Sequence, residues 1–326
     1  MTATSRQPNR PTALPRDSAP AATGPATTAP ATTGRTSAAV WGALSIVYVV
    51  WGSTYLAIRI AVETMPPFLS AAARFITAGL ILAGLVAWRQ GPSALKVTPR
   101  QLASAGLVGL MLLLGGNGMV VLAEQDVPSG LAALVIAVVP LWLVLLRLGF
   151  GQRTSGATLV GVLLGLLGLG VLTVPGLNGD VELVGLLLVI IGTLSWAGGS
   201  FLTSRLPMPK NVFATSAYEM IIGGLGCLAV AAIKGEPQAL DLAAISTRSW
   251  LALAALIVFG SLVAFTAYAW LLHNAPLPLV ATYAYVNPVV AVLLGWLILA
   301  EPLSWPIVLG GAIVVAAVCL VVRTEK

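Results

Sequence analysis

Residues Ala39–Ile60 read AVWGALSIVYVVWGSTYLAIRI, and their only charge, Arg59, stands at the far end. A helix of about twenty apolar residues, rising ~1.5 Å each, crosses a hydrocarbon core of about 30 Å. Comparable runs recur near 67–88, 102–123, 127–148, 156–174, 183–204, 212–233, 249–272, 277–299 and 304–323. The connections between them are short, and most carry Pro, Gly or a charge, so none leaves room for a second, soluble domain. Hydrophobic residues make up 58% of the 326 positions and charged residues 9%, with a mean hydropathy of +0.97. Soluble domains carry roughly a quarter charged residues. The expectation is an all-α integral membrane protein of ten transmembrane helices, with the lipid bilayer as its solvent.

Residues 1–37 are rich in Ala, Thr, Pro and Ser with scattered arginines, and are expected to form a disordered cytoplasmic tail. The segment lacks the short apolar stretch and cleavage site of a removable signal. The net charge of +6 does not point to nucleic acid, because the basic residues lie singly beside apolar runs. With the N-terminus inside, every Lys and Arg except Arg59, Arg74, Lys234 and Arg248 falls on the cytoplasmic side. Glu63, Glu124, Asp126, Asp180, Glu182, Glu236, Asp241 and Glu301 fall on the other. By the positive-inside rule both termini are cytoplasmic. Cys227 and Cys319 both lie inside apolar runs, and the single histidine, His273, is placed in a turn before Asn274. No disulfide framework and no metal-ligand spacing follows from these residues.

The chain repeats itself. Gly52-Ser-Thr-Tyr-Leu56 aligns with Gly198-Gly-Ser-Phe-Leu202, and Arg59 then falls on Arg205. Ser70 falls near Thr215, Gly79 on Gly224, Pro128 and Pro140 on Pro276 and Pro288, and Gly161 on Gly310. The halves, 38–174 and 181–323, hold five spans each. An odd number turns the second half upside down relative to the first. Inverted repeats of this kind are the signature of many secondary transporters, whose two halves rock around a site near the midplane.

Trp51-Gly-Ser-Thr-Tyr, Pro66-Pro67 and the pair Arg74-Phe75 resemble the opening of the repeat in the EamA family of the drug/metabolite transporter superfamily. Gly115-Gly-Asn-Gly118, Ala123-Glu-Gln125, Val127-Pro-Ser-Gly130 and Tyr283-Ala-Tyr-Val-Asn-Pro288 resemble its YedA-type permeases more narrowly. The resemblance covers roughly residues 40–323. It implies gradient-coupled export of small metabolites such as amino acids across a bacterial inner membrane, with the proton as a candidate coupling ion. It also leaves two alternatives on the same fold, a flippase of lipid-linked sugars and a multidrug exporter. The family often places a Glu after the fourth and ninth spans; here the ninth has Glu301 and the fourth has Gln152.

Arg74 and Glu219 are the charges set well inside apolar spans, each ~12 Å deep by residue count. They align in the repeat and come within ~6 Å along the membrane normal of a core about 30 Å thick. A charge at that depth costs at least about 2.5 kcal/mol, so it faces a cavity or a partner. The two pin their helices together as a pair, or Arg74 snorkels outward to the membrane edge, or Arg74 attracts a substrate carboxylate while Glu219 takes a proton or an amine. Asn117, between glycines, serves helix packing or solute contact. Pro140 and Pro288 break mid-helix hydrogen bonds and kink their spans, giving candidate gating points. Tyr283 and Asn287, with Trp51, Tyr55, Trp196, Tyr218 and Tyr268, are candidates for an aromatic lining or for ordinary packing. No span holds an Asp or His, no HExxH or ATP-binding motif is present, and no cofactor is implied. Oligomeric state is not legible here.

Overall fold

The computed structural model describes residues 1–2, 38–275, 277–280 and 282–324. The tail expected over 1–37 therefore lies, but for Met1 and Thr2, outside the described residues, as does Pro276. Thr36–Lys326 form one compact unit. Every element is helical, and no strand occurs among the described residues.

Eight helices are long and apolar enough to cross a membrane. They are α1 (Ala38–Val62), α2 (Pro67–Gln90), α3 (Pro99–Ala123), α4 (Ser129–Gly149), α6 (Leu183–Thr203), α7 (Val212–Ile233), α8 (Thr247–Tyr268) and α10 (Trp305–Thr324). The shorter apolar helices α5 (Gly156–Leu172) and α9 (Tyr283–Leu299) have 17 residues each. At 1.5 Å per residue these reach about 25 Å, near the lower limit for a span. A bilayer explains the outer surface, where Leu163, Leu167, Leu251, Leu297 and Trp305 are all exposed.

Local chemistry sets the helix ends. Thr98 and Gln101 form a capping box at the start of α3, and Ser246 caps α8 by accepting from the Ser249 N–H. Both helices then widen into a π-helical stretch, Leu110–Gly118 in α3 and Leu256–Val263 in α8, neither of which any residue pattern announces. Each π turn shifts a carbonyl out of the regular ladder, a feature common at functional sites. The helix of α8 continues through His273 to Asn274, so this residue is in a last helical turn rather than in the expected loop.

The two prolines behave differently. At Pro140 the fourth helix stops at Ile136, turns through Ala137 and Val138, and restarts at Val139, with Pro140 in the first turn of the new segment. A proline ring there clashes with nothing and lacks only an N–H that has no partner anyway. Pro288 stays inside α9, one turn beyond its start at Tyr283.

Glycines let helices approach closely, and two pairs of helices do so reciprocally. A methyl group on Gly79 of α2 would lie 2.8 Å from Ile221 Cγ1 and 3.0 Å from Met220 Cβ of α7. One on Gly224 of α7 would lie 2.8 Å from Ile76 Cγ1 and 3.1 Å from Phe75 Cβ of α2. The same exchange joins α5 to α10. Gly161 faces the Ala317 carbonyl and Val321, while Gly310 faces the Gly168 carbonyl and Leu172.

Apolar side chains gather in two main clusters. One draws Leu131 and Leu141 of α4, Val162 and Leu172 of α5, Val189 of α6 and Val314 of α10 together. The other draws Ile58 of α1, Phe68 and Phe75 of α2, Met220 and Cys227 of α7 and Leu256 of α8 together. Each cluster mixes elements from both halves of the sequence, so neither half packs as an isolated bundle.

Candidate functional site

The π turn of α8 builds the centre of the candidate site. Its Gly260 carbonyl accepts from Trp51 Nε1 of α1 at 3.2 Å. The next residue, Ser261, accepts from Arg74 Nε of α2 at 3.0 Å. A methyl group on Gly260 would crowd the site, 3.0 Å from Thr54 Cγ2 and 3.4 Å from Arg74 Nη2. Three helices thus converge on one residue without a side chain, and the guanidinium lies against its backbone.

Arg74 is 7% exposed, and its Nη1 is buried without a hydrogen-bond partner in the protein. The guanidinium also lies 4.9 Å from the centre of the Phe75 ring. No ion pair joins it to Glu219 among the described residues. A cation held by one neutral hydroxyl in a dry interior keeps most of its field for another ligand.

Beside it, Trp51, Tyr268 and Tyr283 form an aromatic triad. Ring centres are 5.0 Å apart for Trp51–Tyr268, 5.2 Å for Trp51–Tyr283 and 5.6 Å for Tyr268–Tyr283. Tilted and edge-on pairs of this kind hold a fixed wall. Gly52 lets α9 come close, with a would-be methyl 2.8 Å from Val290 Cγ1 and 3.1 Å from the Asn287 carbonyl. Asn287 is buried, and its Oδ1 has no protein partner. Tyr55, one turn from Trp51, lies within electrostatic range of Arg74 and Glu124. The structure thus brings together Trp51, Tyr55, Arg74, Tyr268, Tyr283 and Asn287.

The other candidates lie apart from that centre. Trp196 packs over Gly116 of α3, 2.9 Å from a methyl there, and is partly exposed on the bundle surface. Asn117, in the α3 π turn, has a buried Oδ1 without a protein partner. Tyr218 donates to the Leu95 carbonyl at 2.6 Å, tying α7 to the loop after α2. Glu219 follows it with a half-buried side chain that has no hydrogen-bond partner among the described residues. An apolar groove of about 680 Å³ runs between α1 and α8, lined by Gly42, Ala43, Ile46, Leu262, Thr266 and Trp270.

Two carboxylates tie the acidic end of the bundle. Glu236 accepts from the Leu69 N–H at 2.8 Å at the start of α2. Glu301 accepts from the Ser129 N–H at 2.7 Å, Ser129 Oγ at 2.8 Å and the Gly130 N–H at 3.0 Å at the start of α4. These bonds satisfy donors that a helix start leaves free and set negative charge at the positive end of its dipole. Gln152, which the repeat matches to Glu301, instead accepts from Arg147 Nε in the last turn of α4.

A bilayer-spanning helical bundle with an unpaired guanidinium and an aromatic wall in its interior has the makings of a membrane transporter. The profile of the EamA-like transporter family matches residues 37–174 and again residues 183–323. The chain belongs to that family and is a membrane transporter. It is 42% identical over 285 residues to the inner membrane transporter YedA of Escherichia coli, covering 86% of this chain and 90% of that one. It is also 28% identical over 163 residues to a probable amino-acid metabolite efflux pump of Escherichia coli, over 49% of this chain and 52% of that one. One crystal structure shares the fold with a TM-score of 0.61, covering 90% of this chain and all of that one at 20% identity.

Proposed function

We propose that the protein is a secondary transporter of the inner membrane that exports small metabolites such as amino acids by alternating access. The solute would bind between Arg74, Tyr55, Asn287 and the aromatic triad, with the carboxylate on the guanidinium and the apolar part against the rings. The observation that carries this reading is Arg74, a buried guanidinium whose Nη1 has no partner in the protein. A bidentate carboxylate is the ligand such a fork suits. The likeness of half the chain to an amino-acid metabolite efflux pump supports the same substrate class.

In this reading ten helices cross the bilayer, with α5 and α9 as the short spans, and the two five-helix halves are inverted copies. The reciprocal glycine contacts of α2 with α7 and of α5 with α10 are what a two-fold axis between such copies produces. So does the recurrence of a π turn in the third and eighth helices. Both termini lie in the cytoplasm, because the basic end of the bundle holds Arg89, Arg100, Arg153 and Arg205.

The test is efflux of a labelled amino-acid mixture from loaded proteoliposomes, with and without a proton gradient, for wild type and Arg74→Ala. Export by the wild type and its loss in the variant support the reading. Folded wild type that moves no amino acid under any gradient would sink the substrate class, and lipid-linked or drug-like solutes would be tried in its place.

A further inference from the structure

Glu124 stands one residue beyond α3, and its carboxyl is 0% exposed with neither oxygen hydrogen-bonded in the protein. Leaving both acceptors of an ionised carboxylate unpaired in a dry pocket is among the costlier arrangements a fold can hold. The charged groups that face it are few. From α1 come Arg59, whose Nη1 donates to the Glu124 backbone carbonyl rather than to its carboxylate, and the Tyr55 phenol. From α2 comes Arg74, whose Nε is turned to Ser261. From the turn before α10 comes Glu301. The packed helix α6 has no ionisable residue, and α4 has only Arg147, at its far end.

The two acids are unequal. Glu301 holds its charge with three donors at a helix start, whereas Glu124 has none. When two carboxyls act on each other, the one with fewer donors keeps the proton. We propose that Glu124 is the proton-binding group of the transport cycle, carrying its proton while its pocket is closed and exchanging it with water on whichever side the pocket opens. Resting on the transport reading above, this assigns the coupling proton to a residue at the edge of the Arg74 site rather than to Glu219. Burial, with the Glu301 charge added, holds the Glu124 carboxyl well above the usual carboxylate range, against the pull of Arg59 and Arg74. The native protein therefore binds more protons than the unfolded chain between the ordinary and the raised value. Stability falls as pH rises through that window.

Two measurements on the full-length protein decide it. The first needs no substrate: thermal unfolding in detergent across pH for wild type and Glu124→Gln. Wild type should lose stability with rising pH more steeply than Glu124→Gln, which has no proton to give up there. Equal slopes for wild type and Glu124→Gln would overturn the proposal. The second is stimulation of labelled amino-acid efflux by an imposed proton gradient in proteoliposomes. Glu124→Gln should lose at least about tenfold of that stimulation, equivalent to ~1.4 kcal/mol, yet keep gradient-independent exchange, and Glu124→Asp should retain coupling. Unchanged coupling in Glu124→Gln also overturns it. If wild type moves no amino acid at all, the substrate class fails, and the first measurement still tests Glu124. Should Glu124→Gln fail to fold, Glu124→Asp must show a displaced pH dependence, and an undisplaced one counts against the proposal.

Discussion

Replacing Glu301 by alanine removes the three hydrogen bonds that hold the start of α4, to the Ser129 N–H, Ser129 Oγ and Gly130 N–H. Ser129 is fully buried, so water does not readily replace what is lost. Hydrogen bonds to a charged group contribute about 1.5–3 kcal/mol, and loss of a helix N-cap costs about 0.5–2 kcal/mol. These overlap rather than add, so a cost of about 2–3 kcal/mol is expected. That is a change of roughly 30- to 150-fold in the unfolding equilibrium. The same clasp can be broken from the other side. A methyl group on Gly295 would lie 2.9 Å from the Glu301 carboxyl carbon and 3.1 Å from Ser129 Oγ, driving the carboxylate out. The assay is a double-mutant cycle by denaturation in mixed micelles, with Glu301→Ala, Gly295→Ala and the pair. Each single change should cost about 2 kcal/mol, and Gly295→Ala should cost under ~0.5 kcal/mol once Glu301 is gone. Additive costs would refute the clasp as the shared cause.

Three further outcomes follow from the same structure. Gly79→Val and Gly224→Val should destabilise by similar amounts, about 1–3 kcal/mol each by overpacking, because each glycine meets the equivalent pair of residues on the other helix; detergent melting curves that separate the two widely would break the reciprocity. Thr98→Ala removes the capping box of α3 and should lower stability by about 1 kcal/mol without altering efflux, measured by melting and proteoliposome transport side by side. A fluorescent protein fused after Lys326 should fluoresce in cells, and a periplasm-dependent phosphatase inserted after Gly235 should be active; the opposite pattern would invert the topology.

Much of the fold was legible because lipid permits so few solutions. Runs of about twenty apolar residues can only be helices, and Gly79, Gly224, Gly161 and Gly310, which align in the repeat, each sit where another helix passes too close for a side chain. Trp51, Tyr268 and Tyr283 were legible as aromatic candidates, though only the tertiary structure gathers them. Less legible were features that depend on packing across distant elements. The π turns have no sequence signature beyond their glycines, and with them the roles of Gly260 and Ser261 stayed hidden. Arg74 and Glu219 share a place in the repeat, which suggested a pair; α2 instead turns Arg74 to α8, because Ser261 offers an acceptor there. Glu124 read as a loop acid since it follows an apolar run by one residue, and only the packing of α1, α2 and α6 around it closes the pocket. Tyr218 looked like a lining residue, but its hydroxyl reaches a loop carbonyl.

A transporter of the proposed kind opens one site to each side in turn, and Thr54, beside Gly260 and Arg74, is the place to look for it. With Cys227 and Cys319 replaced by serine, Thr54→Cys would be exposed to a membrane-impermeant thiol reagent from either face of sealed vesicles of known orientation. Labelling is expected from both faces, and slower from both when a transported solute is present. Labelling from one face alone under every gradient, or labelling that solute leaves unchanged, would contradict it.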